Sequence, residues 1–155
     1  MRATVLVIVH GLVAVALLGA ITHQTLATWA RSDAKSGSFF SRFRSVPSVS
    51  FANAIIVLYL VAALLGAIVY LDFRVDVRPQ LERDAHFEAL GLFDLKEHFI
   101  SIGLGLLPAY WIAWRRPLAE DLGGSRVALT AIFAFIVWWS YLIGHVLNNI
   151  LGFGS

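Results

Sequence analysis

Phe93-Asp94-Leu95-Lys96-Glu97-His98-Phe99 is where a charged stretch gives way to the third of four apolar segments in the chain. How it is read decides where that segment starts and what chemistry sits at its mouth. As the opening of a helix, Asp94 takes the N-cap and Glu97 lies three residues on, the spacing at which carboxylates accept from unpaired first-turn N–H groups. On the same helix Asp94 and His98 are four apart and share a face, with Glu97 about 100° round from His98. Three groups able to hold a metal or carry a proton therefore fall close together.

The surroundings of this stretch are those of a membrane protein. Hydrophobic residues make up 59% of the 155 and charged ones 14%, with a mean hydropathy of +0.77; ordinary soluble domains hold roughly 45–50% and 25%. The chain has no cysteine, which excludes disulfides, thiolate metal sites, iron–sulfur clusters and covalently attached c-type haem. Any metal must be held by His, Asp, Glu or carbonyl oxygen. The net charge of +2 comes from arginines scattered over loops, a pattern that sets membrane topology and does not point to nucleic acid.

The expected architecture is an all-α integral membrane protein, a single four-helix membrane domain over residues 1–155 with spans at about 5–29, 51–73, 95–114 and 127–151. The first run, Val5 to Trp29, carries no charge and is long enough to cross about 30 Å of hydrocarbon. His10 interrupts it and it is long for a signal peptide, so it reads as a retained span. Ala62-Ala63 and Gly66-Ala67 give the second span small positions where a neighbour can come close. Between spans two and three, Pro79 is expected to open a short amphipathic surface helix that runs to Leu90 and ends at Gly91. The third span, Phe99 to Trp114, is short and contains Pro108, and Arg115 and Arg116 close it.

The first and third loops hold four and three Lys or Arg, against one, four and none for the N-terminus, middle loop and C-terminus. Positive charge favours the inside. Both termini and the middle loop are therefore expected outside a multi-pass protein of the cell inner (plasma) membrane.

That topology puts His10 roughly 8 Å below the outer end of the first span, His145 level with it on the fourth, and His98 at the same side on the third. On the fourth helix Ala131, Ala134, Trp138, Tyr141, His145 and Asn149 form one stripe of small and polar groups, and on the third His98, Ser101, Gly105 and Ala109 form another. Such stripes are expected to face the bundle interior. His23, near the inner end, reads as a helix-packing histidine and His86 as solvated.

Two cofactor readings follow. One is a metal site of His10, His98 and His145 completed by Asp94 or Glu97, suited to Zn, Cu, Fe or Mn, with the carboxylates alternatively orienting the imidazoles. The other is b-type haem held axially by His10 and His145, with Arg74 or Arg78 near its propionates. Either implies a small subunit of a respiratory or photosynthetic electron-transfer assembly, acting as an oxidoreductase only within it. Its partners would be the lipid bilayer, other membrane subunits and quinone. The third reading is a cofactor-free structural or assembly subunit, in which Asp94 and Glu97 only cap a helix and the histidines bond within the bundle.

Overall fold

The computed structural model describes residues 2–29, 48–115 and 123–151, and among them the chain is all-helical. The helices are α1 (Arg2–Trp29), α2 (Ser48–Asp72), α3 (Arg78–Arg83), α4 (Phe87–Arg115) and α5 (Gly123–Leu151), with a π-helical segment, Phe73–Val77, joining α2 to α3. Three helical stretches, Thr4–Thr28, Ser50–Arg83 and Gly123–Asn149, each hold an 18-residue window apolar enough to cross a membrane, with mean hydropathies of 2.5, 2.7 and 2.0 over that window. The fourth long helix, α4, carries Glu88, Asp94, Lys96 and Glu97 in its first three turns. Its charge-free part begins only at Phe99.

The four long helices form a ring in which α1 and α4 each pack between α2 and α5. Neighbours run antiparallel. His10 lies against Gly66 while His23 stacks on Phe51, and Phe93 meets Tyr70 while Tyr59 meets Ile100. The core occupies the half of the bundle towards the end of α4, where Leu17, Ile21, Ile55, Tyr110, Phe133 and Ile136 interlock. There the Tyr110 and Phe133 rings are 4.9 Å apart, and Tyr59 meets Phe133 edge-on at 5.4 Å. The Tyr59 hydroxyl donates to the Ile100 carbonyl at 2.9 Å. It can do so only because residue 103 is glycine: a Cβ there would collide with the hydroxyl.

Between α2 and α4 the structure departs from the sequence expectation. No separate surface helix runs from Pro79 to Leu90; the second helix continues through the π turn into the six-residue α3, a rod of about 50 Å at 1.5 Å per residue. The wide turn sits directly ahead of Pro79, whose ring would press on the carbonyl four residues back and which has no N–H to offer it. In its place the Arg78 N–H reaches the Phe73 carbonyl, five residues back. Reversal comes at Asp84-Ala85-His86, where the His86 N–H bonds Leu81 O (2.9 Å) and the Ala85 N–H bonds Glu82 O (3.3 Å), the paired pattern of a Schellman cap. Ala85 takes φ 57°, a position usually given to glycine.

The consequence reaches the opening stretch. Helix α4 begins at Phe87, ahead of the expected start at 95, so Gly91 is mid-helix and Asp94 and Glu97 cap nothing. Ala89, Leu90 and Phe93 are buried here, and the helix extends backwards because Ala89 and Phe93 pack against Ile143 and Leu147 of α5. Tertiary packing outweighs the local capping signal.

Candidate functional site

At the other end of the ring the four helices enclose a cavity of about 560 Å³. Small residues make part of its wall, Gly11 and Ala14 from α1 and Ala62, Ala63, Gly66 and Ala67 from α2, beside larger apolar ones such as Ile8, Leu12 and Leu104. The space between them stays open, while the rings of Tyr70, Phe73 and Phe93 stack at the same end of the bundle. Into the cavity come His10 from α1, Lys96, Glu97 and Ser101 from α4, and Tyr141 and His145 from α5.

His10 is half-buried. Its ring lies over Gly66, where a Cβ would sit 3.3 Å from Cε1, so the glycine sets how closely the ring can lie. One ring N–H donates to the Ala62 carbonyl, and Lys96 and Glu97 are near enough for their charges to act on the imidazole. Its Nδ1 is buried without a hydrogen-bond partner, and so is the Ser140 hydroxyl on the cavity's α5 wall. His145 is more open than His10. Lys96 and Glu97 form an ion pair of 3.0 Å, and the Lys96 ammonium lies 4.3 Å from the centre of the Phe93 ring, a cation–π contact.

The remaining predicted residues lie elsewhere. His98 is exposed, its Nδ1 2.6 Å from the Asp94 carbonyl one turn back. Asp94 accepts from Arg78 at 3.3 Å, and Arg78 also holds Glu82 at 3.1 Å. The expected set of His10, His98, His145, Asp94 and Glu97 is therefore divided, with His10, Glu97 and His145 lining the cavity and Asp94 and His98 outside it. Among the described residues no three His, Asp or Glu side chains come together in a way that could hold a metal ion. The stripe His98, Ser101, Gly105 and Ala109, expected to face inward, is exposed throughout. Large groups claim the interior of α4 instead: Phe93, Leu107, Tyr110 and Trp114 are buried. On α5, Trp138 and Ala134 border a second groove against Thr22 of α1, and the Trp138 indole donates to the Thr22 hydroxyl at 3.0 Å. Arg74 is exposed and does not line the cavity; neither does Arg78.

His23 stacks on Phe51 with ring centres 4.2 Å apart, in keeping with a packing role. His86 is exposed in the α3–α4 turn. Lys96 is the cavity residue that sequence reasoning passed over, because a basic residue just ahead of an apolar segment reads as loop charge. The apolar period Ala89, Leu90 and Phe93 is the signal that could have placed it inside a helix.

No protein-family model matches the chain, and no curated protein or solved structure is similar enough to be paired with it.

Proposed function

We propose that the chain is a four-span subunit of a respiratory or photosynthetic electron-transfer assembly in the cell inner (plasma) membrane. Both termini lie outside, and the cavity takes a b-type haem between His10 and His145. The observation that carries this reading is that two imidazoles, from α1 and α5, line one cavity walled by glycine and alanine. The partnerless buried Nδ1 of His10 and the glycine and alanine positions on the α1 and α2 walls suit a large planar ligand. In the third span, α4, the charge-free part from Phe99 to Trp114 runs alongside α5 and the charged turns stand at the outer mouth.

A haem in this place supplies one-electron transfer, to or from quinol or an outer carrier. The chain's own part is to hold the rings: Gly66 lets His10 lie close to α2, and Ala62 fixes its orientation through the carbonyl. A lone Zn, Cu, Fe or Mn ion is less well supported, since His10, Glu97 and His145 would have to close together before they could act as ligands. The competing reading, a cofactor-free structural subunit, draws on the His10–Ala62 bond, which by itself satisfies a packing histidine.

The deciding measurement is an optical spectrum of the protein purified in detergent, followed by metal analysis. The haem reading expects a Soret band that disappears in both His10→Ala and His145→Ala. A folded protein that is colourless and metal-free overturns it and leaves the structural subunit.

A further inference from the structure

We propose that Lys96 makes the cavity selective for a ligand carrying a carboxylate, so that a haem is held by a propionate on Lys96; this rests on the haem reading above. The two partners of the ion pair at the cavity mouth are unequally placed. The Lys96 side chain is 13% exposed and the Glu97 side chain 42%. Lys96 is held from below by the Phe93 ring at 4.3 Å, inside a helix whose neighbouring turns are buried at Phe93 and Gly103.

An ammonium in so apolar a setting requires a counter-charge. Glu97 supplies it at 3.0 Å but is free to turn to water, whereas Lys96 is not. A carboxylate entering the cavity can therefore replace Glu97 without leaving either charge stranded. A neutral ligand gains nothing from the exchange. The arginines that the sequence offers as propionate partners are elsewhere, Arg78 engaged by Glu82 and Asp94 and Arg74 exposed. Among the described cavity residues Lys96 is the only lysine or arginine.

The test is titration of the full-length protein in detergent with haemin and with haemin dimethyl ester, which presents the same macrocycle and iron without carboxylates, followed by the Soret shift. Wild type is expected to bind haemin about tenfold more tightly than the ester, the scale of one charge-assisted contact. Lys96→Met removes that preference. Glu97→Gln, which deletes the internal competitor, strengthens it. Binding of the ester by each variant doubles as the check that it is folded. Equal binding of the two porphyrins by wild type, or a preference that survives Lys96→Met, overturns the assignment to Lys96 and leaves the haem reading standing. If neither porphyrin gives a histidine-ligated spectrum, the haem reading fails and this one with it.

Discussion

The same four helices make two different interiors. Towards the α4 C-terminus, Tyr59, Tyr110, Trp114 and Phe133 fill the ring of helices and leave little exposed. Towards the π turn, glycine and alanine on α1 and α2 leave about 560 Å³ between the side chains unfilled. The difference is one of side-chain volume and needs no change in helix order or direction. It separates the labour: one half holds the bundle together, and the other can hold something else, since a void costs the contacts its lining would have made. Tyr59 stands on the border, part of the core cluster and of the cavity wall alike.

Mutations should respect that border. The largest loss is expected for Phe133→Ala, about 3–5 kcal/mol for a fully buried ring, read as a fall in the unfolding midpoint in mixed SDS and detergent micelles. Leu104→Ala on the cavity wall should cost well under half as much. If the two are equal, the division into a packed and an open half is wrong. Next comes Gly103→Val, expected to cost about 1–3 kcal/mol because its branches meet the Tyr59 hydroxyl. Combined with Tyr59→Phe, it should lose part of that penalty. Tyr59→Phe alone gives up one hydrogen bond to Ile100 and should cost about 1 kcal/mol. The smallest stability effect belongs to Ala63→Leu, within about 0.5 kcal/mol of wild type because the added volume enters open space. It should nevertheless weaken haemin binding more than tenfold, and a variant that binds haemin normally would show that the cavity is not the ligand site.

How much of this could be read from residues alone follows the same division. The apolar runs give the long helices and their order, because membrane-length hydrophobicity is a property of composition. Helix rotation is harder to read: His145 lines the cavity as its stripe suggests, whereas of the α4 stripe Ser101 reaches the cavity and His98, Gly105 and Ala109 do not. Small and polar residues mark an interior only where nothing larger competes for it, and on α4 Phe93, Leu107 and Tyr110 do. The start of α4 was misplaced for a related reason. Asp94-x-x-Glu97 satisfies the local rule for a helix beginning, but burial of Ala89 and Phe93 against α5 carries the helix two turns further back. That shift sets Glu97, expected in the first turn of the span, and Lys96 about three turns into the helix, on the cavity wall.

The π turn at Phe73–Val77 sets the azimuth of everything beyond it. One residue more than an α turn requires swings α3 by about 100° around its own axis, and this rotation brings Arg78 opposite Asp94 at 3.3 Å. The chain thus carries a removable residue at a known place. Excising Val75, which is exposed, would take out that residue and turn Arg78 away from α4, so that the clasp between α3 and α4 opens while the bundle beneath it keeps its register; Pro79 would still leave the shortened turn one N–H short.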